Sequence, residues 1–325
     1  MMLARTNAIR ATARRLLEAG QVDCVIGYRA GTVPLRSQPY IATTPGEADQ
    51  LVWNGFCGLN LATFASGRTD RVAVVAQGCV TRSLNGLLHE NRVARERLYV
   101  IGVPCLGMLD LGKIAARFED RTILAAEDDG DDLVVRGRDR NGDPFEARIP
   151  RRDVKRDNCL TCVQSTPVLP EGVPGELVAD PVPNPGGDID AVAAPWEKLD
   201  AAGRWAAFED TFASCIRCYA CRDACPLCYC TECFVDESRP QWVGKTLDAA
   251  DVQTFHILRA FHCAGRCTDC GACETACPQG IRMRRLTSKL EKDVRALWGF
   301  AAGMDPEGEP PLAVYRPDDP EEHFK

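Results

Sequence analysis

Apolar residues recur at three different spacings along this chain of 325 residues, and each spacing predicts its own kind of element. Near the start, Ile9, Ala13, Leu16 and Leu17 follow helical spacing over residues 1–19, and Gly20 supplies the stop. Three short unbroken apolar runs follow: DCVIGY, around 24–28, RVAVVAQG at 71–78 and RLYVIGVP at 97–104. Each is bounded by Gly or Pro, the pattern of buried strands in a mostly parallel sheet. A helix is expected between the last two, over 82–96. From 122 to 150 the pattern alternates around Asp-Gly and Asn-Gly turns, which predicts a hairpin or small meander. Residues 1–165 therefore read as an α/β domain.

Residues 166–195 are rich in Pro, Gly and Asp and bury little, so an extended linker is expected. Helical patterning returns around Trp205–Phe212, at 248–262 and at 284–298. Residues 196–298 are expected to form a small α+β ferredoxin-like unit. The tail, 299–325, is acidic and proline-rich, and its Tyr315 and Phe324 suit a segment that orders against a partner.

Composition narrows the function classes. The apolar fraction is 45% and the charged fraction 26%, both ordinary for a globular protein. A net charge of −7 gives no basic face for nucleic acid. No apolar run is long enough for a membrane span. The Arg-rich start faintly resembles a transit peptide, but its periodicity favours a structured helix. Cysteines in metal-ligand spacing without a secretory segment point to a reducing, cytoplasmic setting.

Cysteine changes the picture most. Twelve of the eighteen lie between Cys215 and Cys277. CIRCYACRDACP places Cys215, Cys218, Cys221 and Cys225 before Pro226; CTDCGACETACP places Cys267, Cys270, Cys273 and Cys277 before Pro278. This is C-x2-C-x2-C-x3-C-P twice, the pattern of bacterial two-cluster ferredoxins, in which each run's last cysteine ligates the other cube. One [4Fe–4S] cluster is expected on Cys215, Cys218, Cys221 and Cys277, and the other on Cys267, Cys270, Cys273 and Cys225. Zinc sites usually use two pairs, not two quartets ending in proline.

Ten cysteines remain. Cys228, Cys230, Cys233 and Cys263 adjoin the runs and suffice for a third cluster or a structural zinc. Cys79 and Cys105 follow predicted strands, and strand ends on one edge of a parallel sheet converge where ligands bind. With Cys159 and Cys162 of CLTC they form a candidate fourth quartet; Cys57 is an alternate or fifth thiol, and Cys24 reads as core. His256 and His262 flank the joining helix, where packing is the usual role and iron ligation the alternative. Arg217, Arg222, Lys245 and Arg266 surround the runs, and Trp53, Phe56, Trp205 and Trp242 read as ordinary core. No catalytic triad or Cys–His pair can be assembled from spacing.

LLEAGQVDCVIGY, VAVVAQGC, VIGVPC and CLTC together resemble the β-subunit family of deazaflavin-reducing hydrogenases and formate dehydrogenases. The C-terminal half, CIRCYACRDACPLCYCTECFVDESRPQWV with AFHCAGRCTDCGACETACP, resembles ferredoxin-like extensions that work beside heterodisulfide-reductase-like complexes. The resemblance implies an electron-transfer subunit partnered by other redox subunits. It assigns Cys79, Cys105, Cys159 and Cys162 to a cluster beside an FAD. The Ser-Gly-Gly turn that opens flavin-binding members is replaced here by ARTNAIRATARRLLEAG, and no G-x-G-x-x-G follows a strand. Two functions from different classes stand: a multi-cluster relay subunit, and a self-contained flavin and iron–sulfur oxidoreductase acting on a deazaflavin, NAD(P)H or formate. A structural zinc protein is the third.

Overall fold

The computed structural model describes residues 1–311 and residue 317. Tyr315, His323 and Phe324 of the tail lie outside the described residues. Helix α1, Met2–Glu18, buries Ile9, Ala13 and Leu16 on one face, as the periodicity requires. Strands β1 (Cys24–Ala30), β2 (Ser37–Ala42), β3 (Val72–Ala76) and β4 (Leu98–Gly102) build the main sheet. Helix α2, Gly78–His89, leaves β3 directly. It starts and ends earlier than the expected 82–96, because Val80, Leu84, Leu87 and Leu88 supply its buried face and Asn91, at φ 53°, breaks the chain beyond it. Helix α3, Leu111–Arg117, is capped by the Asp110 side chain.

The expected meander forms as β5 (Thr122–Asp128), β6 (Asp132–Arg138) and β7 (Pro144–Pro150), an antiparallel sheet of its own. Its inner face packs Leu133, Val135 and Ile149 on Ile114 and Phe118. The main sheet is mixed. Its order is β2-β1-β3-β4 followed by a fifth strand, β8, Gly175–Leu177. β1 and β2 are antiparallel; the other three pairings are parallel.

β8 lies inside the segment expected to be a linker. Val100–Gly102 pair with Gly175–Leu177, so the proline-rich chain covers the open edge of β4 instead of spanning a gap. Ser165 and Val168 are held as well, by the side chains of Asn184 (2.7 Å) and Thr81 (2.9 Å). Composition reports that a segment buries little; it does not report an edge strand paired through backbone alone.

The second unit is built on α4 (Ala201–Phe212), α5 (Ala249–His262) and α6 (Arg284–Trp298). Phe208, Phe212, Val252, Phe255 and Met283 form its core. Among the described residues it is helical: no strand occurs after β8, where an α+β arrangement was expected. Both cysteine runs fold as tight loops with one helical turn each, Ala220–Asp223 and Ala272–Ala276, which leaves no extended pair to form a sheet.

The two units meet along α2. Arg82 donates to the carbonyls of Ala302 (2.9 Å) and Thr268 (3.4 Å), and Asn85 to that of Gly303 (3.1 Å). Ser83 and Thr268 share a hydroxyl hydrogen bond at 2.9 Å, and Asn158 donates to the Asp269 carbonyl. Buried polar groups left unpaired are costly, so these bonds fix how the cysteine loops face the sheet. Among the described residues no helix is long and apolar enough to cross a membrane.

Candidate metal centres

The two cysteine runs share one backbone shape. Arg217 and Tyr219 take φ 50° and 60°; Asp269 and Gly271, at the same places in the second run, take 56° and 70°. Left-handed backbone costs a non-glycine residue about 1 kcal/mol, so the repeat marks a loop that its contents must compensate. The turns aim backbone N–H groups at sulfur. The Arg217 N–H donates to Cys215 Sγ at 3.4 Å, and that of Ile281 to Cys277 Sγ at 3.4 Å. The N–H groups of Asp269 and Ala272 serve Cys267 and Cys270 likewise. Such donors favour thiolate over thiol.

Cys215, Cys218 and Cys221 line one hollow, and the fourth thiol in it is Cys277 of the other run. A second hollow is lined by Cys267, Cys270 and Cys273, with Cys225 of the first run and Cys263. Burial pushes the Cys221 thiol up to about 11 and that of Cys273 well up. Buried thiols of this kind ionise only beside concentrated positive charge, and iron bound by four thiolates provides it. The donor sets therefore fit [4Fe–4S] clusters.

Two buried side chains trim this region. His256 stacks on Phe212 at 3.9 Å and sets Nε2 3.2 Å from Cys215 Sγ. Burial, with Arg259 and Arg217 nearby, lowers its pKa to about 3, so the imidazole is neutral. It packs, as expected, with one ring nitrogen against a thiol. Arg259 donates to the Cys221 carbonyl at 3.1 Å and lies among Cys263, Cys225, Cys273 and Cys221. The sequence reading missed Arg259. Its signal is position alone: it follows Phe255 by four residues on the buried face of α5. Of the noted cations, Lys245 donates to the Val235 carbonyl and Arg266 pairs with Glu90. Trp53 and Phe56 are core, whereas Trp205 and Trp242 are exposed.

A third hollow lies at the edge of the main sheet. Cys79 sits in the first turn of α2, and Cys105 follows β4. Cys159 and Cys162 return to the same place, and the four thiols line it together with Cys270. Gly107 donates to Cys105 Sγ at 3.3 Å and Met108 to Cys159 Sγ at 3.2 Å. Burial pushes Cys105 up to about 12. Cys57 lies outside this lining. It is wholly buried, accepts the Asn54 N–H and points at the Val52 carbonyl, as a small core residue does. Cys24 is core as expected, within 3.6 Å of Asp70 Oδ2.

Gly78 admits the returning chain to this hollow. A Cβ there would stand 2.1 Å from the Gln164 carbonyl oxygen, a backbone atom. Gly78→Ala is expected to displace the Cys162 segment and to remove about four iron atoms per chain. Iron and labile-sulfide analysis checks this; unchanged iron would show that the segment adjusts without loss.

A fourth hollow is lined by Cys228, Cys230 and Cys233, with Arg222, Arg259, His262 and Arg266. Cys263, expected as the fourth ligand, is not on its wall. It turns inward, where the sulfurs of Cys225, Cys228 and Cys263 lie within 4.8 Å of one another. Cys228 therefore stands between two groupings.

Comparison with known proteins adds four matches. The model of the 4Fe-4S dicluster domain matches residues 211–281, the segment holding both runs. The chain is 23% identical over 352 residues, 92% of each sequence, to F420-dependent formate dehydrogenase subunit beta of Methanocaldococcus jannaschii. It is 24% identical over 371 residues, 94% of this chain and 92% of the relative, to F420-dependent formate dehydrogenase 1 subunit beta of Methanococcus maripaludis. A solved F420-reducing [NiFe] hydrogenase complex from Methanosarcina barkeri matches 48% of this chain and 59% of its own at 17% identity and a TM-score of 0.36. The chain thus matches a 4Fe–4S dicluster domain over residues 211–281 and is similar to formate dehydrogenase β-subunits along nearly its whole length.

Proposed function

We propose that this chain is an iron–sulfur electron-transfer subunit of a larger oxidoreductase, relaying electrons between partner redox subunits of the formate dehydrogenase, hydrogenase or heterodisulfide-reductase-like kind. Cys215, Cys218, Cys221 and Cys277 hold one [4Fe–4S] cluster, and Cys267, Cys270, Cys273 and Cys225 hold the next. Cys79, Cys105, Cys159 and Cys162 hold a third at the sheet edge. The observation that carries the reading is the place of Cys270, which lines both the second ferredoxin hollow and the sheet-edge hollow. The two halves of the chain are thereby joined by one thiol between two centres.

When bound, the clusters supply one-electron chemistry over a range of potentials. The chain's own residues do the rest. Thiolates fill each cluster's coordination, so no iron is left open to a metabolite. The N–H donors at Arg217, Gly107 and Met108 stabilise sulfur charge, and buried Arg259 offsets the charge of neighbouring thiolates. Phe255, Ile281 and Met283 shield the first hollow. The relay needs no flavin of its own, and flavin analysis of the purified chain tests the FAD that the family resemblance implies beside the sheet-edge cluster.

The purified chain is expected to take up electrons from dithionite, bleaching its brown absorbance, and to turn over no metabolite alone. Steady-state oxidation of NADH, formate or a reduced deazaflavin by the single chain, with an artificial acceptor, would favour the flavoenzyme instead.

A further inference from the structure

We propose that the open hollow at Cys228, Cys230 and Cys233 holds a further [4Fe–4S] cluster whose fourth ligand is the imidazole of His262, not the thiol of Cys263. The two candidates are adjacent in sequence at the end of α5. Successive residues at a helix end point about 100° apart, and here the two face different hollows. His262 is on its wall and exposed; Cys263 is 3% exposed and lines the neighbouring hollow with Cys225. Phe234, next to Cys233, meets the His262 ring edge-on at 5.2 Å and fixes its orientation. Arg222 hydrogen-bonds Cys233 on the same wall.

Donor spacing favours a cube over a single ion at this hollow. Among the described residues, the three-donor group with mutual distances within 4.8 Å is Cys225, Cys228 and Cys263. The set of Cys228, Cys230, Cys233 and His262 is wider, as are the two ferredoxin quartets. One tetrahedral zinc draws its donors together, with zinc–ligand bonds of about 2.0–2.3 Å; a cube keeps them apart. Three thiolates and a neutral imidazole leave this cluster one negative charge short of an all-cysteine cluster. Replacing thiolate by imidazole raises potential, so this cluster is more readily reduced than the same cluster with four thiolates. Its exposed ligand makes it the port to a partner, a role that rests on the relay reading; the ligand set does not.

Pulsed EPR of the reduced full-length chain reads the ligand directly. A strong nitrogen hyperfine coupling on one cluster is expected, unchanged in Cys263→Ser and in His256→Gln, which removes the other nearby imidazole. His262→Cys should keep all iron, lose the coupling and make that cluster harder to reduce. His262→Ala should lose up to about four iron atoms per chain. A wild-type spectrum without the coupling, a loss of four irons in Cys263→Ser alone, or one zinc per chain in this place would each overturn the assignment. The other clusters report separately, through their own iron and reduction, so the relay reading survives or fails independently.

Discussion

Cys277→Ser is expected to destroy or convert the cluster held by Cys215, Cys218 and Cys221, while the cluster of its own run persists. The loss should approach four iron atoms per chain. The reason is geometric. Cys277 lines the hollow of the first run, and the Ile281 N–H holds its sulfur toward that wall. Pro278 bars the residue before it from helix, so the chain leaves the short turn Ala272–Ala276 at Cys277, with φ −74° and ψ 116°. The thiol is thereby carried away from its own loop. Cys225→Ser should strike the opposite cluster, with one difference: Cys263 lines that hollow too and stands ready as a substitute. EPR of each variant separates the clusters. If each substitution altered only the cluster of its own run, the exchange of ligands would be wrong.

Asp128→Ala should cost about 3–5 kcal/mol of stability, the usual penalty for stranding a buried charge. Asp128 and Arg151 form an ion pair with side chains 1% and 4% exposed. The carboxylate also accepts the Gly55 N–H at 2.6 Å and the Gly130 N–H at 3.2 Å. Arg151 reaches on to the Gly107 carbonyl, in the loop that carries Cys105. The pair therefore ties the meander to the sheet-edge hollow. A fall in Tm of roughly 4–7 °C is expected for a chain of this size. The double variant Asp128→Leu with Arg151→Met, which buries no charge, should recover much of it. A single variant within 2 °C of the parent would remove the pair from the account.

The sequence disclosed chemistry more fully than shape. The two quartets are legible because ligand spacing is a local property, and the repeated left-handed turns are its structural counterpart. β1, β3 and β4 are legible because a strand buried on both faces must be apolar throughout. β8 was not, since Gly175–Leu177 joins the sheet through backbone groups that every residue carries. Helical unit against α+β unit could not be read either. Whether loops flanking cysteines pair as strands depends on tertiary distances. The inward turn of Cys263 has the same origin: thiol count finds a quartet, but only helix phase tells which neighbour faces it. Arg259 and Arg151 escaped notice because a buried arginine looks in sequence like an exposed one.

The central claim is a contiguous chain of clusters crossing from the ferredoxin loops to the sheet edge through Cys270. Quantitative EPR of the fully reduced, anaerobically purified protein tests it most directly. The account predicts at least three spins per chain, with iron of about twelve atoms or more, and signals broadened by coupling between neighbouring clusters. Cys79→Ser should sharpen the spectrum of the second ferredoxin cluster by removing its neighbour across Cys270. Two spins with about eight iron atoms, and a spectrum untouched by Cys79→Ser, would contradict it.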